Sequence, residues 1–136
     1  MTRKLPPVKF KSITLERTGC FGNCPIYKVD IPYHGYVFYM GERFVEQEGI
    51  HTWEIDSEAI ELLNDSIRKY GFFSIKKKKP EAFRTDMPHC IVTIKLEDNR
   101  RKKINDYLGD DSYPARLRTF ERKIDQVIRI QKYTGK

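Results

Sequence analysis

Apolar and polar residues alternate along several stretches of this chain, the period-two pattern of strands with one buried face. Ile13 and Leu15 alternate with Thr14 and Glu16 over residues 12–18. Tyr27, Val29, Ile31 and Tyr33 share one face of a second stretch, 26–33. His34-Gly35 then separates it from the aromatic run Tyr36 to Met40, and a two-residue connection ending in Gly predicts a tight hairpin. His51, Trp53 and Ile55 line one side of a fourth strand, 49–55. The period then changes. Ala59, Leu63, Ile67 and Tyr70 keep helical spacing after Asp56-Ser57-Glu58, a capping side chain followed by an acid, and Gly71 is placed to end the helix. Alternation resumes at 89–97 through Cys90, Val92, Ile94 and Leu96, and Asp98-Asn99 turns that strand into 100–107. Leu117, Phe120, Ile124, Val127 and Ile128 line a last helix, predicted from Ala115 to Tyr133.

The order is β-β-β-β-α-β-β-α. Short turns between strands imply an antiparallel sheet, and segregated helices imply an α+β domain with the helices mainly on one sheet face. Residues 1–11 read as an N-terminal extension and 12–133 as one domain, a length that buries roughly two thirds of the unfolded surface. Eight Tyr and eight Phe enlarge the core that a hydrophobic fraction of 39% would otherwise leave modest.

The stretch Cys20-Phe21-Gly22-Asn23-Cys24-Pro25-Ile26-Tyr27 sets two thiols four residues apart around a Gly-Asn turn. Such a pair suits a disulfide, a metal or a redox couple. A disulfide there contributes roughly 2 kcal/mol by loop entropy. Zinc tolerates the spacing but requires a second pair, and His89 and Cys90, adjacent on a strand, point to opposite faces. Redox catalysis requires a lowered thiol pKa, for which Arg17 is the nearby cation. Cys90, in an apolar stripe, reads as a small core residue.

The same motif resembles a bacterial family described only as a domain of unknown function, with the pattern Cys-Phe-Gly-x-Cys-Pro-x-Tyr, a strand, a Gly turn and a Tyr-x-Gly element. Here the last is Tyr39-Met40-Gly41, and a Thr-Asp pair follows later as Thr85-Asp86. The likeness spans about residues 12 to 130. It implies no assigned activity. Many similar proteins look exported or lipid-anchored, which implies an oxidised pair. The basic start of this chain lacks the apolar core of a secretory signal, and no run approaches the roughly 20 apolar residues of a membrane span. A cytoplasmic location with reduced thiols is therefore the expectation.

A formal charge of +7 suggests an acidic partner. Lys76 to Lys79, the tract Arg100-Arg101-Lys102-Lys103 and Arg116 at the start of the last helix are candidates for binding an anionic, phosphate-bearing ligand. Tyr36, Phe38 and Tyr39 on an open sheet face would be able to stack bases. Thr85 and Asp86 precede a strand and suit a ligand contact or a simple turn. No phosphate-cradling loop, metalloprotease motif or paired-acid constellation is present, so neither a cofactor nor a metal site is expected, and no catalytic residue is assigned. The expectation is a small non-catalytic recognition module for a protein partner or an anionic ligand. It would use Arg17, Tyr27, Thr85, Asp86, Arg100 to Lys103 and Arg116 around the rigid Cys20–Cys24 turn. A thiol redox protein or sensor and a nucleic-acid-binding protein are the alternatives.

Overall fold

A computed structural model describes residues 8–80 and 87–135 of the chain. Six strands form one antiparallel sheet: β1 (Phe10–Arg17), β2 (Ile26–Pro32), β3 (Tyr36–Arg43), β4 (Gly49–Glu54), β5 (His89–Leu96) and β6 (Arg101–Tyr107). Their spatial order is β4-β3-β2-β1-β5-β6. The helices are α1 (Ser57–Lys69), α2 (Ala115–Val127) and the short α3 (Gln131–Thr134), with a 3-10 turn at Phe72–Ser74. The α+β architecture expected from the patterning is the one observed. Among the described residues no helix is long and apolar enough to cross a membrane.

Strand pairing lays side chains in rows across the sheet. Ile104, Val92, Leu15, Val29, Tyr39 and His51 form one row on the helix-covered face. One pleat step away, Asp106, Cys90, Arg17, Tyr27, Gly41 and Gly49 form another. The first is mainly apolar, and Leu63, Phe72, Leu117, Phe120 and Ile124 close over the core to which it belongs. The second is polar over its β6–β2 half, and that change of chemistry marks the end of the sheet where the cysteine turn sits.

The motif glycine Gly41 has a steric reason. A Cβ there would lie 2.3 Å from the Gln47 carbonyl oxygen and 2.6 Å from the Tyr39 hydroxyl. Without one, Tyr39 folds over Gly41 and donates its hydroxyl to Gln47 O at 3.0 Å. Tyr39 is fully buried, which corrects the expectation that it joins Tyr36 and Phe38 on the open face. Residues 38 and 39 are consecutive on a strand, so only one of them is able to face solvent.

Helix α1 begins as its sequence directs: Asp56 accepts from the Ala59 amide at 2.8 Å, and Gly71 follows its end at φ 62°. Asp56→Ala should cost about 1 kcal/mol, read as a lowered urea midpoint with an unchanged slope.

The single helix expected over 115–133 is instead two. It ends at Val127, and Arg129 turns the chain at φ 58° before α3. Tertiary bonds stabilise the break. The Trp53 indole donates to Ile128 O at 3.2 Å, Gln47 N to Tyr133 O at 2.7 Å, and Glu46 N to Thr134 O at 3.1 Å. Carbonyls that a continuous helix would leave at its frayed end are captured by β4 and the β3–β4 loop.

Candidate functional site

The cysteine turn connects β1 to β2, and Arg17 faces Tyr27 as the last pair of that hairpin. Thr18 ties the base to β5: its amide donates to His89 O at 3.1 Å, and its hydroxyl accepts from the His89 amide at 2.9 Å. Beyond this anchor Cys20 and Cys24 form a disulfide with their Cα atoms 5.6 Å apart. The expectation of reduced thiols is thereby corrected. The turn brings the two cysteines within bridging distance, whereas the expectation came from the character of residues 1–11 and not from this geometry. Gly22, at φ 140°, takes a conformation that L side chains rarely adopt. Phe21, at the apex of the closed ring, is 90% exposed.

Under the turn, two predicted residues meet one that was not predicted. Arg17 Nη2 donates to Asp125 Oδ2 at 2.7 Å, and Arg17 Nε to the same oxygen at 3.2 Å. Tyr27 donates its hydroxyl to Asp125 Oδ1 at 2.9 Å and accepts from Arg17 Nε at 3.0 Å. Asp125 thus locks the hairpin base to α2 from 98 residues away in the chain. Burial pushes the Tyr27 hydroxyl pKa up, and the Asp125 carboxylate adds to it. For Arg17 burial opposes the charge, but facing groups including Asp125 outweigh it and the net direction is upward. The Arg17 guanidinium therefore stays charged beside Asp125. A cavity of about 220 Å³ opens beside them, with Pro25, Arg122, Gln126 and Gln131 on its wall.

Deeper along the same row is a second polar group. Asp106 is 0% and Glu121 2% exposed, with the Cys90 thiol fully buried between β1 and β6. Asp106 accepts from Arg118 Nε at 3.4 Å, while its Oδ1 and Oε2 of Glu121 have no conventional donor if both acids are ionised. Burial, followed by the hydrogen bond with Asp106, pushes the Glu121 carboxyl up to about 9. A protonated Glu121 donating to Asp106 provides the missing donor, and Cys90 bonds to Glu121 in turn. Burial also raises the Cys90 thiol, so it is an inert neutral group.

The basic residues do not join this site. Arg100 pairs with Asp98 at 2.8 Å in the β5–β6 turn. Lys102 points to the helix side and donates to Phe73 O at 3.1 Å and Ile75 O at 2.6 Å, holding the 3-10 turn. Burial, with Lys76 and Arg116 facing it, lowers the Lys102 pKa. Arg101 and Lys103 alternate to the opposite face. Arg116 lies at the start of α2, nine residues and about 14 Å of helix from Asp125. Thr85 and Asp86 lie outside the described residues. On the open face Tyr36 and Phe38 stand on β3, four strand spacings or about 19 Å from Arg101 and Lys103 on β6, with the Thr14–Asp30 hydrogen bond between. Tyr36 and Phe38 are thus separated from the cations of the 100–103 tract.

Among the described residues no group of three His, Cys, Asp or Glu is placed to hold a metal ion. The Arg17 guanidinium is committed to Asp125 and Tyr27, and the cysteine turn leads into β2 rather than into a helix start of the kind that activates a thiol. The turn presents a disulfide-closed ring, an exposed aromatic and a hydrogen-bonded base. Asp125 and Glu121 escaped the sequence reading because acids on a helix normally face water. The spacing of Leu117, Glu121, Ile124 and Ile128 nonetheless places Glu121 on the apolar stripe.

Residues 11–128 match the model of a family described as a domain of unknown function (DUF6438). No curated protein matches the chain.

Proposed function

The chain belongs to the DUF6438 family, and we propose that it is a non-catalytic recognition module that binds a protein partner through the disulfide-closed turn, with Phe21 as the anchor. One observation carries this reading: a Phe 90% exposed at the apex of a ring closed by a disulfide. An aromatic side chain left in water normally costs a folded protein the burial it would otherwise gain. Fixed in place beforehand, it binds a partner's apolar pocket without first losing conformational freedom, which favours affinity. The Arg17–Tyr27–Asp125 clamp and the Thr18–His89 pairing hold the ring against the body of the domain. The charge of +7 steers the module toward a partner with an acidic rim. A bridge that supports binding must persist where the protein works, which favours an oxidising compartment.

The test is a photo-crosslinking residue placed at position 21 in the native host. A discrete adduct that disappears in the Cys20→Ser/Cys24→Ser background is expected, with the same probe at Thr52 on the open sheet face as control. An adduct no stronger at 21 than at 52 would show that the turn is not the contact surface.

A further inference from the structure

A cavity of about 530 Å³ lies at the other end of the strands from the cysteine turn, between the β4–α1 junction and the α2–α3 break. Its size falls within the range of small-ligand sites. Trp53 and Tyr133 form one flank, stacked with ring centres 4.2 Å apart and planes 12° apart. The indole is held by its bond to Ile128 O. On α1, Glu58 and Leu62 are four residues apart and share the face that lines the cavity. Across from them stand Arg129 and Lys132.

Two features go beyond shape. Arg129 is a non-glycine residue in the left-handed region, a conformation that costs on the order of 1 kcal/mol and is retained where the surroundings impose it. Glu54, Asp56, Glu58, Arg129 and Lys132 all line this cavity; Asp56 caps α1, and the other four have no ion pair among the described residues. Charges of both signs thus face a shared space with aromatic and aliphatic walls. An inorganic anion would leave the carboxylates of Glu54, Asp56 and Glu58 opposed and the rings uncovered, and a purely apolar ligand would leave charges of both signs facing it.

We propose that this cavity binds a short zwitterionic peptide. Its ammonium group lies toward Glu58, its carboxylate between Arg129 and Lys132, and its apolar side chains against Trp53 and Leu62. The site is independent of the Phe21 turn.

Trp53 is the only tryptophan of the chain, so its emission reports the cavity directly. Titration of the full protein with the dipeptide leucyl-phenylalanine should give a saturable change in that emission. Acetylating the peptide's amine or amidating its carboxylate should each weaken binding about tenfold or more, the effect of one lost charged contact. Arg129→Gln with Lys132→Gln should weaken the free peptide equally but leave the amidated one unchanged. The proposal is overturned by no saturable change up to about 10 mM peptide, a range that covers affinities worth only a few kcal/mol. It is overturned equally if capped and free peptides bind alike, or if inorganic phosphate alone reproduces the change. Arg129 and Lys132 are both exposed, so their replacement leaves the core intact, and an unchanged far-ultraviolet circular dichroism spectrum checks this.

Discussion

Glu121→Gln should stabilise the protein by about 4 to 5 kcal/mol at pH 8 and by about 1 kcal/mol at pH 5, flattening its stability against pH. Glu121 is 2% exposed, and its carboxyl is raised from an ordinary 4.5 to about 9 by burial and by its bond to Asp106. A raised carboxyl means that the folded state holds a proton that the unfolded chain releases above pH 4.5. The contribution is fully present below about 4.5 and is lost progressively as pH rises toward 9. Glutamine keeps the shape and keeps a donor for Asp106 Oδ1, but has no proton to lose. Its amide oxygen still accepts from Cys90. The lowered carboxyls of Asp98 and Asp111 work in the opposite sense and only in acid, so they do not mask the slope. Urea denaturation at half-unit steps from pH 5 to 8.5 measures it. Parallel curves for the native protein and the variant would mean that Glu121 is ionised in the fold, with some other group satisfying Asp106.

That buried pair also marks the boundary of what patterning reveals. Strand alternation located all six strands, with ends within about three residues, because a slip of one would turn Leu15 and Val29 to the solvent side. Asp56 and Gly71 marked both ends of α1 through local chemistry alone. The break at Arg129 had no such mark: neither Gly nor Pro is near, and what stabilises it comes from Trp53 and the β3–β4 loop, far away in sequence. Site residues divide the same way. Arg17 and Tyr27 flank one turn and were legible from the motif, whereas Asp125 reaches them only because α2 crosses the sheet at that row. The tract Arg100 to Lys103 reads as one patch in sequence, yet the pleat sends Lys102 inward to two carbonyls and its neighbours outward. A one-dimensional charge run carries no information on faces until a strand imposes them. Phe21 was not singled out from the sequence, although a five-residue ring has no interior in which to bury a phenyl group.

The double replacement Cys20→Ser/Cys24→Ser should lower stability by about 2 kcal/mol and abolish partner crosslinking at position 21. The stability loss arises mainly in the unfolded chain, which regains the freedom that a five-residue closure removes, so the urea midpoint should fall while the folded spectrum stays unchanged. The Arg17–Asp125 pair and the Thr18–His89 bonds remain in the variant and keep the base of the turn in place. Only the apex is released. Phe21→Ala separates the two effects: at 90% exposure the ring contributes little to folding, so stability should stay within about 0.5 kcal/mol while binding is lost. Thiol counting supplies the independent check. Three cysteines less the two in the bridge leave one, Cys90, so the denatured native protein should titrate a single thiol and the folded protein none. If the double variant crosslinks as well as the native chain, rigidity of the ring is irrelevant to recognition, and the bridge serves stability alone. If it loses crosslinking while Phe21→Ala still binds, the backbone of the ring makes the contact and Phe21 does not.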